Sequence, residues 1–322
     1  MPDPKRILIT ANAFIEHPEY FAPLAEAGYV IGHQEEGPLS QERLIEVLPG
    51  HVAAIAAVDS YTAEILANAP DLRVISRWGV GIDSVDISAA TAHEVIVCNT
   101  PGMVSSSVAD MTFALILSLA RDLRAATQRG ANAEWVQVQA ADVFGATLGI
   151  VGFGSIGQAV AYRARGFDMK VLALDPYPNR EKAAELGVEL TDLPQILREA
   201  DYMSLHCNLT DDNYHIIGAA ELAAMKPTAF LINTARGKLI DTQALIESLA
   251  NGEIAGAALD TVEEEPPHPD DPILSAANCL ITPHNSFYSA NSVRLVNSQV
   301  VENILDAFGG RSTRFIVNPE VL

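Results

Sequence analysis

Thr147-Leu-Gly-Ile-Val-Gly-Phe-Gly-Ser-Ile-Gly157 is the stretch on which the reading of the chain turns. Its opening residues are apolar and partly β-branched, as in a buried strand, and the Gly-x-Gly-x-x-Gly that follows runs into a helical pattern from 158 to about 165. In a strand, loop and helix setting each glycine has its own reason. Gly152 allows a tight turn, Gly154 lets a dinucleotide pyrophosphate approach the backbone, and Gly157 lets helix and strand pack closely. The helix N-terminus adds amides and partial positive charge for an anion. Asp175 ends the next expected strand, about 20 residues beyond the first glycine, where a carboxylate can accept the adenosine ribose hydroxyls and repel a 2′-phosphate. NAD is therefore the expected cofactor, although Arg180 on the same loop could neutralise such a phosphate.

Working outward, further strands are expected at 171–175, 202–207, 230–234, 255–260 and 279–282, which with 147–152 make six. An earlier series at 7–10, 52–58, 72–76 and 95–99 has the same βα rhythm. From 105 to about 129 the pattern reads as one long buried helix, and a last helix from 289 to about 308 could return to the first domain. The Pro- and acid-rich segment 263–272 reads as a loop. The expected fold class is α/β, with two doubly wound parallel-sheet domains: 1–100 with 289–322 as the substrate domain, and 101–288 as the NAD-binding domain.

At 322 residues, 49% of them hydrophobic, the chain can fill two cores. A net charge of −21 disfavours nucleic acid and anionic membranes, which attract clustered Lys and Arg. The longest apolar run, 111–120, is far short of the roughly 20 residues that cross a bilayer, and no export signal is read at the start. A cytoplasmic protein is expected. Cys98, Cys207 and Cys279 are too widely spaced for a disulfide framework or a metal site, so no metal is expected.

Several ordered segments resemble the D-isomer-specific 2-hydroxyacid dehydrogenases: Ser76-Arg-Trp-Gly-Val-Gly-Ile-Asp83, Asn99-Thr-Pro-Gly102, Ser107-Val-Ala-Asp110, the Gly152 to Gly157 loop, Asn233-Thr-Ala-Arg-Gly237, Ala258-Leu-Asp260, Glu264-Glu-Pro266 and Thr282-Pro-His284. The resemblance implies a flavodoxin-like and a Rossmann domain with the active site between them, a homodimer, and Arg236, Glu265 and His284 as the catalytic set. It also implies cofactor contacts at Ser155, Ile156, Cys207, Thr234, Ala235 and Asp260, and backbone contacts from Val80 and Gly81 to the substrate carboxylate. The expected dimer contact is the 105–129 helix with the 131–144 arm.

These residue types suit transfer of hydride between nicotinamide and a small, anionic 2-hydroxy or 2-keto acid. Hydride loss from a secondary alcohol leaves a proton, and imidazole is the side chain best matched to accept it near neutrality. A carboxylate such as Glu265 orients the ring and stabilises imidazolium. Arg236 offers a planar fork to the substrate carboxylate. Val104 stands where phosphoglycerate dehydrogenases of the family place Asn, and Ala56-Ala57 where they use Arg-Ser, which argues against a 3-phospho substrate. The segment Asn285-Ser-Phe-Tyr-Ser289 is similar to that of D-lactate dehydrogenases and of the C-terminal-binding-protein corepressors, and it puts Phe287 at the substrate pocket. Alternative readings are a dinucleotide-sensing, corepressor-like protein and a formate- or phosphite-type dehydrogenase.

Overall fold

The computed structural model describes residues 5–310 and 315–322, which divide into two compact units. One holds the chain up to Val104 and from Tyr288 onward; the other is the continuous segment Ser105–Phe287.

The first unit is built on β1 (Lys5–Ile9), β2 (Tyr29–Gln34), β3 (Ala53–Ala56), β4 (Val74–Arg77) and β5 (Ile96–Cys98), all parallel in the order β2-β1-β3-β4-β5. That is the flavodoxin-like order. Strands covered on both faces are written as short apolar runs, and β3, Ala-Ala-Ile-Ala, is buried throughout. β2 is absent from the strands expected from sequence. It lies at the sheet edge with three consecutive exposed residues, so its pattern carries little apolar signal. The helix Ala290–Phe308, N-capped by Ser289, belongs to this unit. Asn297 accepts from Trp78 Nε1 (2.6 Å) and donates to the Ala13 carbonyl (3.1 Å), while Ser76 Oγ donates to the Val300 carbonyl (3.0 Å).

The second unit has seven parallel strands: β6 (Thr147–Val151), β7 (Lys170–Leu174), β8 (Glu189–Leu190), β9 (Tyr202–Leu205), β10 (Phe230–Asn233), β11 (Gly256–Leu259) and β12 (Cys279–Ile281). Their order is β12-β11-β10-β9-β6-β7-β8. Numbered within the unit this is 3-2-1-4-5-6 with one strand added, the dinucleotide-binding order, and its switch point falls between β6 and β9. The one of these seven not among the six expected from sequence is the two-residue β8, too short for any periodicity to reveal.

The single helix expected over 105–129 is two helices, Ser105–Ala120 and Leu123–Ala131. Asp122 breaks them with a left-handed backbone (φ 44°), although the residues on either side are ordinary helix formers. The first helix buries Val108, Thr112, Phe113, Leu115 and Ile116, whereas the second buries no residue and is tethered by Arg124 Nη1 donating to the Cys279 carbonyl (3.2 Å). Among the described residues, no helix is long and apolar enough to cross a membrane, and no group of three or more His, Cys, Asp or Glu could hold a metal ion.

Candidate functional site

Ligands of doubly wound sheets bind beyond the carboxyl ends of the strands at the switch point, and there the structure places the glycine loop. Gly152, at φ 99°, leaves no room for a side chain, since an added Cβ would lie 2.4 Å from the Cys207 nitrogen. At Gly157 it would lie 2.1 Å from the Gly152 carbonyl oxygen. Both glycines are demanded by the fold itself. Gly154 is different: a Cβ there meets nothing within 4 Å. It caps the helix Ser155–Ala164 without a side-chain bond, leaving the first-turn amides open to an incoming anion beside Ser155 and the half-buried Ile156. This cradle, bare of side chains only where a pyrophosphate would approach, fits NAD.

Asp175 follows β7. Its Oδ2 accepts from the Phe153 amide (2.7 Å) and its Oδ1 from the Tyr177 amide (2.8 Å), so it ties the glycine loop to the strand end while each oxygen keeps a further lone pair. Across the switch point, Cys207 is half-buried, and burial pushes its thiol up to about 11, which keeps it a neutral thiol. Beside it His206 is half-buried too, and burial pushes its ring down to about 3; Nε2 lies 2.8 Å from Ser204 Oγ and Nδ1 3.4 Å from Thr234 Oγ1.

The neutral state of His206 has a measurable consequence. An unfolded chain protonates this ring as pH falls through about 6.5, while the folded chain resists until about 3. The stability present above about pH 6.5 is therefore lost progressively below it, by roughly 1–2 kcal/mol at about pH 5. His206→Gln should show a smaller fall in Tm between neutral and mildly acid pH than the wild type; equal falls would place the acid sensitivity elsewhere.

Three successive strand ends carry the remaining groups. After β10, Thr234 and Ala235 are buried and Arg236 is half-buried, its Nη1 donating to the Ala235 carbonyl (2.7 Å). Gly237 lets this loop press on the next one, since a Cβ there would lie 2.0 Å from the Val262 carbonyl carbon. After β11, Glu265 Oε1 accepts from the Val262 amide (3.1 Å), and Oε2 lies 2.6 Å from His284 Nδ1 beyond β12. An ionised carboxylate can only accept, so Nδ1 bears the hydrogen and Nε2 is left for proton exchange. His284 takes a left-handed backbone (φ 49°), and the Phe287 ring meets its imidazole edge to face at 5.9 Å.

Of the three adjacent glutamates, only Glu265 reaches His284. Glu263 lies 2.6 Å from His215 Nε2, giving that histidine a carboxylate partner the sequence did not suggest. Asp260 is 1% exposed, and its carboxylate accepts from Thr282 Oγ1 (2.5 Å) and from the amides of Asn285 (3.1 Å) and Ser286 (2.9 Å). The structure thus gives this oxygen pair to the His284 loop. Asn233, unlike Asp260, is given no role by the sequence: its side chain accepts from the Ala235 amide (3.0 Å) and donates to the Arg236 carbonyl (2.8 Å). The available signal was a polar residue closing an apolar strand.

Val80 and Gly81 lie in the first unit, just past β4. Gly79 turns the chain at φ 131°, and the Val80 carbonyl accepts from Asn99 Nδ2 (2.8 Å). Among the described residues, neither the Val80 nor the Gly81 amide donates to a protein acceptor, so both remain available to an anion.

A family model described as D-isomer specific 2-hydroxyacid dehydrogenase, NAD binding domain, matches residues 113–286. A glyoxylate reductase of Korarchaeum cryptofilum is 39% identical over 90% of this chain and 89% of its own. A D-3-phosphoglycerate dehydrogenase of Methanocaldococcus jannaschii is 38% identical over 87% of this chain and 54% of its own. The crystal structure of a D-lactate dehydrogenase from Aquifex aeolicus, complexed with NAD and lactic acid, matches with a TM-score of 0.87 at 28% identity, over 98% of this chain and 99% of that one.

Proposed function

Because the chain belongs to the D-isomer-specific 2-hydroxyacid dehydrogenases, which use NAD, we propose that it interconverts a small 2-keto acid and its D-2-hydroxy acid, with His284, Glu265 and Arg236 as the catalytic set. The observation that carries this reading is the 2.6 Å His284–Glu265 bond, made one strand away from the Arg236 loop. The Gly152–Gly157 loop and Asp175 would hold NAD, which would supply or take up the hydride when bound. In reduction His284 Nε2 delivers a proton to the carbonyl oxygen, and in oxidation it removes one from the hydroxyl. Glu265 keeps Nδ1 protonated and offsets the charge of the imidazolium. Arg236 holds the substrate carboxylate by its guanidinium fork.

A compact side chain suits this protein best. Ala56 and Val104 are buried and apolar, and an unpaired phosphate set against such groups would be strongly disfavoured. Relatives named glyoxylate reductase, after a small 2-keto acid, support this reading. The test is purified protein with NADH and a panel of glyoxylate, pyruvate, longer 2-keto acids and a 3-phospho-2-keto acid. Turnover of the smallest acids is expected; the reading fails if no keto acid is reduced, and the substrate preference fails if the phosphorylated one is reduced best.

Asp175 should make NAD the preferred dinucleotide. Asp175→Ala is expected to narrow the ratio of kcat/KM for NADH over NADPH, by weakening NADH and relieving repulsion of the phosphate; equal kcat/KM for both in the wild type overturns this. We also propose a homodimer, on the ground that the 131–144 arm exposes Trp135 (91%), Val136 (66%), Val138 (57%) and Phe144 (70%). Light scattering at twice the mass of one chain is the expected result.

A further inference from the structure

A second carboxylate–histidine pair stands beside the catalytic one and has been given no part in the reaction. Glu263 and Glu265 leave the loop after β11 toward different partners, Glu263 toward His215 Nε2 (2.6 Å) and Glu265 toward His284 Nδ1 (2.6 Å). Glu263 also accepts from the hydroxyl and the amide of Thr242, the first residue of the helix Thr242–Asn251. Burial opposes its charged form, but the bonds from Thr242 and the His215 ring outweigh burial and hold the carboxyl below the usual carboxylate range. The positive end of the helix favours the same state.

His215 is itself fixed in place. Its backbone is left-handed (φ 52°), its amide donates to the Lys238 carbonyl (3.0 Å), and its ring stacks on Tyr214 with centroids 4.0 Å apart. Its Nδ1 faces Asp241 Oδ2 at 4.0 Å. Two further backbone bonds, from the Ile217 amide to the Leu239 carbonyl (3.1 Å) and from the Asp241 amide to the Ile217 carbonyl (3.0 Å), join its segment to the one that follows Arg236.

We propose that His215 and Glu263 are positioning residues for the proton transfer: their bond anchors the loop from which Glu265 reaches His284. The proposal rests on the catalytic reading of His284 and Glu265.

The loop needs an anchor for reasons of charge and of chain. Glu263, Glu264 and Glu265 are consecutive carboxylates, which repel one another, and residues 261–271 form no helix or strand. Glu265 is exposed and depends for its place on the chain that carries it, whereas Glu263 is half-buried. Proton transfer tolerates only a small misplacement of the groups involved. Donors from His215 and Thr242 hold Glu263 from two neighbouring segments, and with its oxygens engaged there it does not compete with Glu265 for His284. The anchor is made by the His215 side chain, while the join to the Arg236 segment is made by backbone, so removing the ring leaves Arg236 in position.

His215→Ala and Glu263→Gln should each lower kcat for keto-acid reduction by about tenfold or more. KM for the keto acid and the dissociation constant for NADH, read by fluorescence, should stay near wild type. The decisive measurement is a double-mutant cycle: in a Glu265→Ala background, His215→Ala should cost nothing further, because no carboxylate remains to be positioned. Losses that multiply would make the role merely structural and overturn the proposal, as would an unchanged kcat in the single variants. Thr242→Val, which removes one donor and leaves His215, carries the same cycle if the other variants do not fold. Should the wild type reduce no keto acid, the catalytic reading fails by itself. The anchor is then judged by the His284 ring resonances, which should shift in His215→Ala, or in Thr242→Val, while those of His206 stay in place; unshifted His284 resonances, or equal shifts of both rings, refute it.

Discussion

His284→Ala is expected to lower kcat for keto-acid reduction by roughly 100- to 10,000-fold, the usual worth of a positioned acid–base group. NADH affinity should survive, because the glycine loop and Asp175 lie on β6 and β7, whereas His284 follows β12. The bond from Nδ1 to Glu265 leaves Nε2 as the only ring atom able to exchange a proton with substrate. Reduction consumes the protonated ring and should decline as pH rises; oxidation consumes the neutral ring and should climb. Profiles for the two directions that run parallel, in an assay limited by chemistry, would remove His284 from the proton transfer. Glu265→Gln keeps an acceptor in place but removes its charge, so a smaller loss than that of the histidine variant is expected.

Arg236→Lys should reduce kcat/KM for the keto acid by about 100-fold or more while leaving NADH binding close to wild type. Charge is retained, yet the planar two-point fork is lost, and a lysine ammonium has no equivalent of the Nη1 bond that anchors the guanidinium to the Ala235 carbonyl. Steady-state kinetics with the keto acid varied at saturating NADH give the comparison. Near-wild-type turnover would assign the carboxylate to another group.

Much of the architecture was legible because parallel strands buried on both faces are written as apolar runs. β6, β7, β9, β10, β11 and β12 fall within a residue or two of their expected places. The glycine loop could be read in chemical detail because two of its three glycines are required by backbone clashes the motif already implies. What escaped had no local signature. β2 and β8 are edge strands, one exposed and one very short. The break at Asp122 interrupts residues that all favour helix, and only the tertiary setting of the second helix, with its Arg124 tether, sets it apart. Composition could not rank three consecutive glutamates, since the choice between His215 and His284 is made by the path of the 260–265 loop, against which Gly237 packs. Asn233 looks in sequence like an ordinary strand end, because what it holds lies on the loop beyond.

The discontinuity of the first unit sets an order of events at the ribosome. Ser76 and Trp78 on the β4 side are satisfied by Val300 and Asn297, residues made only after the whole of Ser105–Phe287 has been translated. At about 5–20 residues per second that interval is roughly ten to forty seconds. During it, nascent β4 and β5 present an apolar face whose covering helix does not yet exist, a surface suited to transient shielding by a chaperone. The dinucleotide-binding unit carries all of its own strands within Ser105–Phe287 and is complete before that helix is made, so the half translated earlier is the last to close.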